Sequence, residues 1–168
     1  MERLNSLVAC ALLLICSCAC NPDKKLSEEA IRTQPEEAEP SVQDLRHRLL
    51  DKGYEVFEYV DEKSGDTVLM QQYFIAFLKS GPNRSQSKAE ADSLQRLHLA
   101  HLGKMYAEGF ADISGPFGDD GEIRGITTYN TPTLEMADSL ANTDPMVKAG
   151  RLVIEVHPWW AAKGFPLR

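Results

Sequence analysis

The chain has 168 residues, 43% of them hydrophobic and 26% charged, which suits one globular domain with tails and excludes a wholly disordered chain. A net charge of −7, with no cluster of Lys and Arg, argues against a nucleic-acid partner, because phosphate binding needs concentrated positive charge. All four cysteines, Cys10, Cys16, Cys18 and Cys20, precede Asn21, so neither a disulfide framework nor a thiolate zinc site can brace the folded part.

Arg3 precedes a short apolar run, Leu7–Ile15, of the length used in secretory signals and too short to span a bilayer. ICSCACNPDKK follows. It resembles a bacterial lipoprotein signal, in which an aliphatic residue and two small residues precede the cysteine that becomes lipid-modified. Cys18 fits, with Ile15 three positions before it; Cys20 follows Ala19 but has Ser17 at the aliphatic position. The resemblance implies export and a lipid anchor on Cys18, or on Cys20, in a bacterial cell envelope, after a signal peptide over 1–20. A cleaved signal with incidental cysteines is the other reading.

Residues 21–41 are acidic and proline-containing, a composition that cannot bury enough apolar surface to offset ordering, and are expected to form a flexible linker. The remaining span, 42–168, is expected to form the domain. Ser41 can cap a helix through Leu50, and two β-prone segments around Glu62–Asp66 predict a hairpin. Tyr73–Leu78, YFIAFL, is apolar on both alternating faces, as in a strand covered on both sides. Ser87 and Glu90 form a capping box opening a helix to about Tyr106, which Gly109 ends. Phe110–Ser114 and Ile123–Tyr129 read as strands. Thr131-Pro132 should start a second helix, with Pro132 at its first position, and Asp144-Pro145 should close it. Arg151–His157 alternates as a last strand.

From Gln71 the order is strand, helix, strand, strand, helix, strand. This predicts an α+β, ferredoxin-like βαββαβ domain with an antiparallel sheet, a core at about 71–159, and an N-terminal helix and hairpin as extension. Two helices would cover one sheet face. The bare face invites a homodimer, closing a dimeric α/β barrel.

On the helix opened by Ser87, the residues Leu94, Leu97, Leu102 and Met105 define an apolar arc, and His98 and His101 point into it. Burying an imidazole without a partner costs roughly 1–3 kcal/mol, so each ring needs a hydrogen-bonding partner or a wet cavity. A nearby carboxylate would orient such a ring and raise its basicity. Histidines on a helix stripe can equally be satisfied core residues. An HxxH pair could also ligate a metal, but the third ligand would have to come from His157, Asp119 or Asp120, and no HExxH is present; no metal site is expected.

HLAHLGKMYAEGFADISGP resembles the helix-to-strand segment of the YciI-like (YCII-related) family, with His98, Glu108, Gly109, Gly115 and Pro116 matching in order and spacing. TDPMVKAGRLVIEVHPW resembles its later segment, matching at Asp144, Pro145, Ala149 and Gly150. The resemblance covers about Gln71 to Trp159. It implies a ferredoxin-like fold that dimerises through its sheets, with a His–Asp active site between sheet and helices: His98 and Asp144 here. Some relatives are dehydrochlorinases or lactone-processing enzymes of aromatic degradation.

GPFGDDGEIRG adds Asp119, Asp120 and Arg124 as candidate pocket residues, unless this is a solvated hairpin connection. No nucleotide fingerprint is present, so no cofactor is expected. The readings left open are a cofactor-free enzyme using His98 and Asp144 on a small organic molecule, by elimination, isomerisation or lactone-type chemistry, and a non-catalytic ligand-binding or structural dimeric lipoprotein.

Overall fold

The computed structural model describes residues 40–165 and Leu167. The expected signal peptide, both candidate lipidation cysteines and nearly all of the expected linker lie outside the described residues.

Helix α1, Val42–Asp51, starts where Ser41 caps it: the Ser41 hydroxyl accepts from the Asp44 amide at 3.1 Å. Strands β1, Val56–Val60, and β2, Thr67–Ser80, pair antiparallel as the expected hairpin. The hairpin's return segment and YFIAFL are one continuous strand, which the sequence had suggested as two. No turn-forming residue interrupts Met70–Gln72, and fully buried Gln71 is held across the sheet by donating to Asn130 Oδ1 at 2.8 Å.

Helix α2, Lys88–Ala107, has the full capping box: Ser87 Oγ accepts from the Glu90 amide at 3.3 Å, and Glu90 Oε2 accepts from the Ser87 amide at 2.8 Å. It ends where Gly109 takes a positive φ of 75°, open to glycine without strain. Strands β3, Ala111–Pro116, and β4, Ile123–Tyr129, form the second hairpin.

Three boundaries differ from expectation. Helix α3 is Leu134–Ala141, capped by Thr133, so Pro132 precedes the helix rather than opening it. The hydroxyl of Thr133 is the better N-terminal partner, accepting from the Met136 amide at 3.2 Å. Asp144-Pro145 does not close that helix; it opens a separate short helix α4, Pro145–Lys148, with Asp144 as its cap. Strand β5, Leu152–Ala162, continues past His157 through both tryptophans, because its pairing with β2 extends to Met70 opposite Ala162.

The sheet runs β5-β2-β4-β3, all antiparallel, which is the ferredoxin-like order. β1 takes the edge of β2 that β4 occupies further along, so β2 has three partners. Helices α2, α3 and α4 lie over one face. Their core joins Phe74 and Ala76 of β2 to Met105 of α2, Tyr129 of β4, and Ala137 and Ala141 of α3. Burying a side chain such as Phe74 or Met105, each 3% exposed, stabilises by about 1.5–3 kcal/mol. The alanines let α3 approach the sheet closely. A second cluster, Leu78, Met146 and Leu152, packs α4 against the ends of β2 and β5.

The other sheet face carries half-buried Ile75 and Phe77 beside His157, exposed Val153 and exposed Trp159. Trp159 leans on Tyr73 of β2 and Trp160 sits edge-on to Phe57 of β1, so the tryptophans pack β5 against its neighbour and the strand beyond it.

Candidate active site

His98 is buried on the sheet-facing side of α2, together with Met105, while Leu94 and Leu102 are half-buried beside it. Leu97, expected on the same arc, is 51% exposed: the buried stripe is rotated so that the histidine takes the position nearest the core. The partner comes from α4. Because α4 packs on α2, its capping residue Asp144 lies against His98, and His98 Nδ1 is 2.5 Å from Asp144 Oδ2. The other carboxylate oxygen accepts from the Met146 amide at 2.8 Å.

Both oxygens of Asp144 are therefore engaged in a site where its side chain is 3% exposed. Burial pushes the Asp144 carboxyl up; the His98 hydrogen bond, the Met146 amide and the charges of His98 and His101 outweigh it, leaving Asp144 below the ordinary aspartate value. Asp144 is thus ionised near neutrality and accepts, which places a hydrogen on Nδ1 of His98 and leaves Nε2 outside that bond. Tyr129, in the core below, is pushed well above the usual phenol range by burial and by the Asp144 charge, and stays neutral.

His98 lines a cavity of about 410 Å³ between α2 and the sheet, where β2 ends. Its walls include Leu78, Leu102, Ser114, Gly125 and Met146, and three arginines, Arg84, Arg124 and Arg151. Asp144 stands behind His98, off the wall. The site thus presents one imidazole ring, backed by a buried carboxylate, in a largely apolar chamber.

No family model matches the chain, and no curated protein matches it. Among solved structures, the chain is similar to 5-chloro-2-hydroxyhydroquinone dehydrochlorinase from Burkholderia phenoliruptrix AC1100, in complex with 2,5-dihydroxybenzoquinone, at 21% identity and a TM-score of 0.41, over 52% of this chain and 92% of that chain.

The remaining expected residues divide. Arg124 is on the cavity wall; its Nη1 donates to the Gly121 carbonyl at 3.1 Å and its Nη2 is 3.7 Å from Asp120. Asp119 and Asp120 are exposed and do not line the cavity. His101 is half-buried and off the wall, and its Nε2 is buried with no hydrogen-bond partner among the described residues. Burial lowers its basicity below that of an ordinary histidine, against the opposing pull of Asp144. His157 is exposed on the other sheet face, bonded to Glu155 at 2.7 Å. No group of three or more His, Cys, Asp or Glu side chains is placed to hold a metal ion among the described residues.

Sequence reasoning missed Arg84 and Arg151. Their signal is positional: Arg151 directly follows Gly150 and Arg84 lies three residues after Gly81, each near a strand end next to the expected cleft.

Proposed function

We propose that this chain is a cofactor-free acid–base enzyme acting on a small organic molecule, with His98 as the proton-exchanging group and Asp144 as the residue that positions it. The observation carrying this reading is the 2.5 Å contact between His98 Nδ1 and Asp144 Oδ2 behind a ring that lines a cavity. With Nδ1–H donating to Asp144, Nε2 can take a proton from an acidified carbon of the substrate. The imidazolium so formed is stabilised by the adjacent carboxylate. Its proton returns to a different atom of the same molecule in an isomerisation; in an elimination it goes to solvent or to the departing group, as the electron pair of the broken C–H bond expels that group.

Membership of the YciI-like family belongs to the same reading. It is supported by His98, Glu108 and Gly109 on the first segment and Asp144, Pro145 and Gly150 on the second. So does an exported protein held at a bacterial membrane through Cys18. Alkyne-palmitate labelling of the full chain in a bacterial host should be lost on Cys18→Ala and kept on Cys20→Ala; the reverse result moves the anchor to Cys20.

The catalytic reading is tested by solvent deuterium exchange into a panel of small carbon acids, followed by NMR. Exchange catalysed by the full chain and abolished in His98→Gln supports it. Binding of panel members with no exchange in the unsubstituted protein identifies a ligand-binding module instead.

A further inference from the structure

The chain is acidic overall, yet its cavity is lined by three arginines and no carboxylate. Two of them are brought together by a specific docking. The loop after β2 lies along the turn before β5: the Gly81 amide donates to the Arg151 carbonyl, the Asn83 amide to the Gly150 carbonyl, and Asn83 Nδ2 to the Ala149 carbonyl, each at 3.0 Å. Gly81 permits this approach, since a Cβ there would collide with the Gly150 carbonyl. Arg84 and Arg151 thereby reach one cavity from distant parts of the chain.

Neither guanidinium is neutralised. Arg151 Nη1 donates to Gln86 Oε1 at 3.2 Å, a neutral acceptor, while its Nε is buried without any acceptor among the described residues. Arg84 meets no hydrogen-bond or ion-pair partner among the described residues. Arg124 is partly engaged by Gly121 and faces Asp120, whose side chain is fully exposed and screened by water. A buried guanidinium nitrogen left unpaired is costly, and a planar acceptor pair is the group whose geometry matches it. Around these cations the wall is apolar, with Leu78, Leu99, Leu102 and Ile126.

We propose that the cavity binds a small organic carboxylic acid as its anion, with the carboxylate on Arg84 and Arg151 and the apolar body reaching the His98 ring. This gives the substrate class of the acid–base reading above and rests on it. An apolar body with an anionic head fits the wall better than a free inorganic anion, which would leave the leucines uncovered.

The test uses the full chain in detergent and a panel of aryl and alkyl carboxylates, each paired with its amide, with inorganic phosphate as a separate arm. Binding is followed by ligand-observed NMR. At least one acid should bind about tenfold or more tightly than its amide, as expected for loss of a charge-assisted contact. Arg84→Gln, at an exposed position, and Arg151→Gln should each weaken the acid by about tenfold and leave the amide unchanged. Added salt should weaken the acid alone. The proposal is overturned if no acid binds better than its amide, if both substitutions weaken acid and amide equally, or if phosphate binds more tightly than every carboxylate. His98→Gln separates the two readings. It should abolish proton exchange and leave carboxylate binding within about threefold, so anion binding can stand if the chemistry fails. Exchange on neutral carbon acids without charge preference would remove the carboxylate and keep the chemistry.

Discussion

His98 and Asp144 lie 46 residues apart and meet at 2.5 Å because one stands mid-way along a long helix and the other caps the short helix packed against it. Asp144 thus has two tasks, capping α4 and fixing the ring. Asp144→Asn keeps a capping oxygen and should leave the fold largely intact, but an amide can donate to Nδ1 and reverse the tautomer. Turnover should fall by about 10²–10⁴, read as kcat on any substrate found by proton exchange. Asp144→Ala removes the cap as well and leaves a buried imidazole unpaired; its urea midpoint should show a loss of about 2–4 kcal/mol. Equal stability of the two variants would show that the cap and pair add nothing.

Stability should fall with acid in two separate windows. His101 is held below its ordinary value of 6.5, so the unfolded chain takes up a proton there first, and stability declines as pH falls from about 7.5 towards the depressed folded value. Asp144 is held below 3.8, so its contribution is complete above that value and is lost as pH falls below it towards and through the lower folded value. Thermal melts across this range should show both declines, and His101→Gln should flatten only the upper one. An unchanged slope in that variant would exclude His101 as its source.

Ser87→Ala should destabilise the domain by about 1 kcal/mol, because the hydroxyl accepts the Glu90 amide and the helix loses half of its capping box. Ser87→Asp, which can still accept, should restore most of that loss in denaturant titration.

Gly125 is a steric requirement. A Cβ there would lie 2.6 Å from the Gly115 carbonyl oxygen and 3.2 Å from Pro116 Cα, both backbone atoms of the neighbouring strand that cannot swing aside. Gly125→Ala should cost about 1–3 kcal/mol, measured as a shift in urea midpoint at constant slope.

The sheet face away from the helices predicts a homodimer. Ile75, Phe77, Val153 and Trp159 together give it an apolar surface. Sedimentation should give twice the chain mass, and Phe77→Glu, at a half-buried outward position, should give the monomer. A monomeric unsubstituted protein would remove the barrel.

The architecture was largely legible because its signals are local. The apolar run YFIAFL and the Ser87–Glu90 box each act over a few residues, and the order of elements from Gln71 is assembled from such signals. The boundaries that moved were decided by competition. Thr133 outranked Pro132 as the start of α3, and Asp144 acted as a cap where Asp-Pro had suggested a stop. The contact of His98 with Asp144 was reachable only through family resemblance, since nothing near either residue in sequence shows that α4 packs on α2. The glycines before Arg84 and Arg151 hint only that each lies near a strand end; what unites them is a docking of backbone amides on carbonyls, which side-chain identity does not show.

Strand β2 also links the first hairpin to the cavity. At one end Gln43, early in α1, donates to Glu58, which pairs with Leu69; Leu78 on the cavity wall lies nine residues further along, roughly 30 Å of extended chain. The same strand thus carries the β1 hairpin at one end and a wall of the cavity at the other. A one-residue slip begun at the hairpin end of this strand would carry Leu78 to the opposite surface and out of the chamber.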